Sequence, residues 1–339
     1  MKVLITGGTG DVGKAVVDRL ADRGDTVTVI GRSDNVEVPK ATYRQCDVLD
    51  YEKLRPIVAE HDTVVHLAAI RSPFGMPGRT VFGVNTQGFF NVFEAAAEAG
   101  ISRVVAASSI NALGFYFGDR SFPLPYLPVD ENIPGLATDA YSFSKQVSEQ
   151  IGEYFWQRDG ITSVSLRLPA VYSHEHVLKL LERERENEFP LIGELLSMPD
   201  DARTERLRRM HEGLDCVRRN NRADTLSSMQ ELLTGVDPSP CGLTREEFEC
   251  MHRKADLFCY VDELDSAQSV EKALTAEYSG SRPMYINAST NPTGYSVRDL
   301  AKLFLPPIEQ CTPSRPDDTA LISIDRAREL IGFEPEWNV

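Results

Sequence analysis

The sequence predicts an α/β fold, a doubly wound parallel sheet followed by a smaller C-terminal domain. Between residues 1 and 173, short and nearly all-apolar runs alternate with stretches of helical periodicity. That is the pattern of strands covered on both faces by crossover helices. The first run, KVLIT (2–6), passes directly into Thr6-Gly7-Gly8-Thr9-Gly10-Asp11-Val12-Gly13, a glycine turn that opens a helical pattern. After about His174 the texture changes to a charged helical block, and an α/β texture returns from residue 257.

The expected strands are KVLIT (2–6), TVTVI (26–30), ATYRQCD (41–47), TVVHLAA (63–69), RVVAASS (103–109) and TSVSLRL (162–168). Helical segments at 12–24 and 87–100 each end in glycine, a common stop signal. Residues 174–256 are rich in Glu, Arg and Leu; Thr244 and Glu247 have capping-box spacing, and Leu178, Leu180 and Leu181 offer an apolar face. This block reads as a solvated insertion without an independent core, either a lid over the cleft or a subunit contact. A strand near 283–289 is expected to rejoin the first sheet. The predicted division is therefore 1–173 and 174–339, the second part including the insertion 174–256.

At 339 residues, 42% hydrophobic and 26% charged, the composition is that of an ordinary globular protein. A net charge of −15 argues against nucleic acid or an anionic membrane surface as partner. No apolar run approaches the ~18 residues of a membrane span, and the start lacks the pattern of a secretion signal. The six cysteines (46, 216, 241, 250, 259, 311) form no Cys-x-x-Cys pair and read as reduced thiols of a cytoplasmic protein.

Glycines between a first strand and a first helix permit a tight turn and let a pyrophosphate approach the helix N-terminus. A Rossmann-type dinucleotide site normally places Asp or Glu at the end of the second strand, to bind the ribose 2′-hydroxyl. Here that place is Gly31, followed by Arg32 and Ser33. Arg32 either pairs with a 2′-phosphate or stacks on adenine. NADP is favoured, and NAD is the other candidate.

YSFSK places Tyr141 and Lys145 one helical turn apart on one face, and AASS (106–109) brings Ser109 to the same sheet edge. With the Gly-x-x-Gly-x-x-Gly turn, this arrangement resembles the extended short-chain dehydrogenase/reductases, in particular the NAD-dependent epimerase/dehydratase family. The resemblance covers about 1–173 and 257–335. It implies that Tyr141 is the acid/base, that Lys145 lowers its pKa and holds the nicotinamide ribose, and that Ser109 bonds the substrate oxygen. It also implies cofactor contacts from Gly7, Gly10, Asp11, Val12, Gly13, Asp47, Val48, Leu67, Ala68, Ala69, Asn85, Pro169 and Val171, beside Arg32, Ser33, Tyr141 and Lys145. A homodimer paired through helices that include the Tyr141 helix is implied as well.

Two departures narrow the substrate. Ala170-Val171-Tyr172-Ser173 stands where the family often has Asn-Val-Tyr-Gly, which weakens a nucleotide-diphosphate sugar. SSINALGF (108–115) resembles uronate dehydrogenases. The resulting expectation is an NAD(P)-dependent oxidoreductase or isomerase acting on a hydroxyl or carbonyl of a sugar-like small molecule. The alternatives are a uronate/aldose-type dehydrogenase with net oxidation, or a non-catalytic dinucleotide sensor. No metal is expected: His174 and His176 would share a face on a strand, but without the three or four ligands a site needs.

Overall fold

The structure is a computed structural model that describes residues 1–34, 36–311 and 319–337. Its sheet contains β1 (Lys2–Thr6), β2 (Thr26–Gly31), β3 (Thr42–Gln45), β4 (Thr63–His66), β5 (Arg103–Ala107), β7 (Thr162–Arg167) and β10 (Ser281–Tyr285). They lie in the order β10-β7-β5-β4-β1-β2-β3, and every pair is parallel. Two-residue strands make small ladders outside it: β6 (Tyr126–Leu127) with β11 (Gln310–Cys311), and β8 (Val171–Tyr172) with β9 (Val261–Asp262).

The helices are α1 (Asp11–Asp22), α2 (Tyr51–Val58), α3 (Gly78–Glu98), α4 (Ala140–Asp159), α5 (His174–Asn187) and α6 (Phe189–Ser197). They continue with α7 (Asp200–Asn220), α8 (Arg245–Ala255), α9 (Glu263–Thr275), α10 (Val297–Ala301) and α11 (Asp325–Ile331). Successive strand residues face opposite sides. Accordingly Val3, Ile5, Val65 and Val105 pack with α1, α9 and α11, while Leu4, Val64 and Val104 pack with α2 and α3. Gly24 and Gly100, the expected helix stops, both take a left-handed conformation. α3 starts well before the expected residue 87, because Gly83, Asn85 and Thr86 weaken its helical pattern in sequence.

Two expectations are corrected here. The 174–256 block has no core of its own, as expected, but it is not the solvated insertion expected: Leu181, Ile192, Leu207, Met210, Leu214 and Phe248 join one apolar cluster with Leu113, Phe115, Leu300 and Leu321. Of the three leucines singled out in α5, Leu181 is buried while Leu178 is exposed, since the inward face runs through Val177, Leu181 and Glu184. The Thr244–Glu247 capping box does form at the start of α8. The reading of six reduced thiols also fails, because Cys216 on α7 and Cys241 are joined in a disulfide. Gly213, one turn earlier, has no Cβ to hold off Leu243 and the Cys241 carbonyl, so that turn closes onto the helix. Cys46, Cys250, Cys259 and Cys311 are free.

Candidate active site

Parallel register aligns the carboxyl ends of the strands: Thr6 lies between Ile30 and His66, and Ala107 beside Leu166. The loops leaving these ends therefore share one edge, where open α/β sheets bind ligands.

At that edge the glycines of the first turn have separate reasons. Gly7 has φ +74°, and a Cβ there would stand 2.8 Å from the Ala68 nitrogen. A Cβ on Gly13 would stand 2.5 Å from the Gly7 carbonyl oxygen, so glycine lets α1 close onto the turn. Gly10 differs: its Cβ would meet nothing nearer than the Gly7 oxygen at 3.7 Å. The fold does not need glycine at Gly10, which caps α1 at the end that attracts anions. Thr6 Oγ1 shares a 2.8 Å hydrogen bond with His66 Nδ1 and accepts another from the Ala68 amide at 3.1 Å. Burial, reinforced by the charge of Lys145, pushes the His66 pKa down to about 3 and keeps the ring neutral.

A Cβ on Gly31 would stand 2.8 Å from the Tyr43 hydroxyl, so a larger residue there would have to displace that side chain. That hydroxyl donates to the Ser33 carbonyl at 2.6 Å, and Gln45 donates to the Arg32 carbonyl at 2.9 Å. The loop backbone is thus pinned while the Arg32 side chain is exposed. Asp11 forms an exposed ion pair with Arg71 at 3.6 Å. A cavity of about 290 Å³ lies beside the turn and is lined by Gly8, Thr9, Lys14, Asp18, Glu37 and Val38 among others. Neither Ser109, Tyr141 nor Lys145 is among its lining residues.

The remaining expected contacts separate into edge and support. Leu67, Ala68, Ala69, Pro169 and Val171 are half-buried along the edge, and Val12 is half-buried in the first turn of α1. Val48 is buried against α3, its carbonyl accepting from Asn91 at 2.9 Å, while Asp47 accepts from its own loop at Leu49. The Asn85 amide accepts from the Ile70 nitrogen at 2.8 Å and donates to the Ile70 carbonyl and Ser144. It ties the loop after β4 to α4.

The structure brings Ser109, Tyr141 and Lys145 together in a buried group. Asp139 caps α4 by accepting from the Ser142 amide, which fixes the turn carrying Tyr141. Ser109 caps the short helical turn 110–113 and accepts from Asn111 at 3.2 Å. Lys145 Nζ donates to the Ala107 carbonyl at 2.9 Å and lies 5.8 Å from the centre of the Tyr141 ring. The lysine does not depress the tyrosine as expected. Burial pushes Tyr141 up to about 12, a hydrogen bond with Ser109 opposing it, and burial pushes Lys145 down to about 8, Glu149 opposing it.

Sequence reasoning missed Glu149, although Tyr141, Lys145 and Glu149 recur every fourth residue on one helix face. Glu149 accepts from Ser108 Oγ at 2.7 Å and forms a two-pronged pair with Arg167 at 2.8 and 2.9 Å. It clamps the ends of β5 and β7 to α4. Phe117, from the loop after β5, packs edge-on against Tyr141 with ring centres 5.7 Å apart.

The two histidines do not share a face. α5 starts at His174, so residues two apart diverge: His174 meets Trp337 and His176 stacks on Tyr172. No group of three metal-ligating side chains occurs among the described residues. Among the same residues, no helix is long and apolar enough to cross a membrane.

Residues 3–188 match the NAD dependent epimerase/dehydratase family. Similar curated proteins include uronate dehydrogenase of Pseudomonas putida, 26% identical over 53% of this chain and 65% of the relative. L-arabinose 1-dehydrogenase (NAD(P)(+)) of Haloferax volcanii is 30% identical over 54% of this chain and 72% of the relative. The chain spans between 46% and 77% of the length of such curated relatives. A UDP-glucose 4-epimerase structure from Thermotoga maritima shares the fold, with a TM-score of 0.58 and 18% identity over 99% of this chain and 94% of that one.

Proposed function

Because this chain belongs to the NAD dependent epimerase/dehydratase family, we propose that it is an NAD(P)-dependent oxidoreductase or epimerase acting on a hydroxyl or carbonyl of a sugar-like molecule. The observation that carries the reading is the buried Ser109–Tyr141–Lys145 group, on the same sheet edge as the glycine turn. The opening over Gly10 at the N-terminus of α1 suits a pyrophosphate. When bound, the dinucleotide supplies the hydride acceptor or donor.

The chain's own residues do the rest. Ser109 orients the substrate oxygen and Tyr141 exchanges its proton. With its phenol pushed up to about 12 by burial, Tyr141 stays protonated and has a proton to give to a carbonyl oxygen. Asn85 and the Glu149–Arg167 pair act as positioning residues by fixing the loop after β4 and the strand ends around α4. Net oxidation follows if the product leaves, and epimerisation if the hydride returns to the other face. Retention of both Tyr141 and Lys145 favours an enzyme over a dinucleotide sensor.

Arg32, beside a Gly31 that supplies no carboxylate, favours NADP over NAD, although Asp18 and Glu37 line the neighbouring cavity. The block 174–256 is read as a wall of the substrate pocket, since its core is continuous with Leu113 and Phe115 of the loop after β5. A homodimer is also proposed. Phe82 stacks on Phe143 and Phe90 on Tyr154 across α3 and α4, and Phe90, Phe143 and Tyr154 are exposed. Such an aromatic surface on paired helices fits a second copy.

The test is Tyr141→Phe, assayed for nicotinamide reduction against a panel of aldoses and sugar acids, with NAD and NADP titrated in parallel. Turnover should fall at least ~10²-fold while dinucleotide affinity stays unchanged. Wild-type turnover in Tyr141→Phe would refute the mechanism. NAD preference unchanged by Arg32→Ala would refute the cofactor choice.

A further inference from the structure

Cys216, near the end of α7, is bonded to Cys241 across a separation of 25 residues, inside the block that the family match leaves out. Both residues are half-buried, within reach of a small thiol, while Cys46, Cys250 and Cys259 are buried. The bond closes residues 217–240 into a loop. Polar contacts inside that loop are local: Arg222 pairs with Asp224 at 3.1 Å, and the Ser227 amide and hydroxyl donate to Glu231 at 2.7 and 2.6 Å.

The returning limb is fixed to the wall. Leu232 and Val236 are buried in its core, and Arg245 of α8 donates to the Leu233 and Val236 carbonyls. The tip, residues 224–229, sits instead on the segments around Tyr141. The Gly75 amide, in the loop after β4, donates to the Leu226 carbonyl at 2.7 Å. Gly75 has φ +72°, and a Cβ there would stand 3.1 Å from the Ser227 carbonyl oxygen, so glycine lets the tip approach. The Tyr116 hydroxyl meets Met229 Sδ at 3.9 Å. A Cβ on Gly78 would stand 3.9 Å from Asp224 Oδ2 and 3.0 Å from Cβ of Ala140, the residue before Tyr141. Phe74, next to Gly75, and Tyr116 both pack on Phe117, which packs on Tyr141. The disulfide thus holds both ends of a loop whose tip rests on the cover of the reacting tyrosine.

We propose that residues 217–240 are a redox-latched flap: the Cys216–Cys241 disulfide keeps the tip seated beside Tyr141, and reduction by a dithiol lets it lift. In that step one thiolate of the dithiol attacks a cysteine sulfur and the protein S–S bond breaks, leaving a mixed disulfide. The second thiolate then displaces the protein sulfur. Two electrons and two protons pass to the cysteines, which become thiols, and the dithiol ends as its own disulfide. A cross-link over about 25 residues narrows the states open to an unseated loop. Its loss shifts the balance between seated and lifted toward lifted. The latch governs access to Tyr141 and is independent of which sugar-like molecule is turned over.

The test is hydrogen exchange read by mass spectrometry on the full chain, treated with oxidised glutathione or with dithiothreitol. Cys241→Ser is measured under both conditions. Reduction of wild type should speed exchange in peptides spanning 222–229 and 73–78 at least ~10-fold, and leave β1, β4 and β5 unchanged. Cys241→Ser should match reduced wild type in both conditions. Alkylation of the unfolded chain should label four cysteines after oxidation and six after reduction. Equal exchange in oxidised and reduced wild type, or six labelled cysteines after oxidation, would overturn the latch. A uniform rise that includes the sheet would overturn it too, since it marks a bond that stabilises the whole fold and gates nothing.

Discussion

Three alanine substitutions in the first turn should give three different outcomes. In Gly7→Ala, a non-glycine residue in the left-handed region costs about 1–2 kcal/mol, and the new methyl meets the Ala68 backbone at 2.8 Å. Overpacking against backbone adds about 1–3 kcal/mol. Gly13→Ala carries the overpacking alone but more severely, at 2.5 Å from the Gly7 oxygen and 2.6 Å from Gly8 Cα. With an unfolding entropy of ~2.1 cal/mol/K per residue, each kcal/mol lowers the Tm of this chain by roughly 1.4 °C, so Gly7→Ala should lose about 3–7 °C and Gly13→Ala about 1–4 °C. Gly10→Ala has an ordinary φ of −78° and a nearest neighbour at 3.7 Å, so its Tm should change by less than ~1 °C. Its methyl instead stands over the anion-attracting end of α1, and dinucleotide Kd should rise at least ~10-fold, about 1.4 kcal/mol. Differential scanning fluorimetry and fluorescence titration report the two quantities. A Gly10→Ala protein with unchanged Kd would refute the cradle, and one that melts with Gly13→Ala would refute the geometry of the turn.

Lys145, held down to about 8 by burial, makes two pH predictions of opposite sign. Dinucleotide affinity, if it uses the charged ammonium, should fall as pH rises through about 8, and Lys145→Met should bind more weakly with no such fall. Stability of the unliganded protein should rise instead between pH 8 and 10.5, because there the unfolded chain binds the proton that the folded one has lost; urea unfolding across that range should show no such rise in Lys145→Met. For the aromatic surface, Phe143→Glu should halve the mass measured by light scattering while leaving Tm within a few degrees, since the side chain is 49% exposed. An unchanged mass would remove α3 and α4 as the dimer surface.

How much was legible in the sequence depended on whether a feature is local. Apolar runs, glycine stops and the Thr244–Glu247 box are set by neighbours a few residues apart, and those elements form where the pattern put them. Tyr141 and Lys145 share a face because four residues make one helical turn, so their proximity was readable as well. The pKa order was not: it is set by burial beneath Phe117 and the loop after β5, contacts that no spacing encodes. The same applies to Glu149, whose spacing was visible but whose partner Arg167 lies on a strand 18 residues on. In the 174–256 block, charge density concealed a core because the apolar residues there are spread over α5, α6, α7 and α8 and converge only when packed.

The charges at the site also argue against reading this protein from its net charge. The whole chain carries −15, yet Lys145, the cation buried beside Tyr141, has no carboxylate among its hydrogen-bond partners. Its ammonium bonds the Ala107 backbone carbonyl instead. Glu149, the acid nearest Lys145 on α4, is already neutralised by Arg167. Buried charge interacts far more strongly than the solvated acids of the surface, which salt screens within about 8–10 Å. A phosphate or carboxylate entering this edge would therefore meet the local cation before the net negative field mattered. An acidic surface excludes a polyanion that must lie across it, but it leaves room for a small anion that enters a pocket.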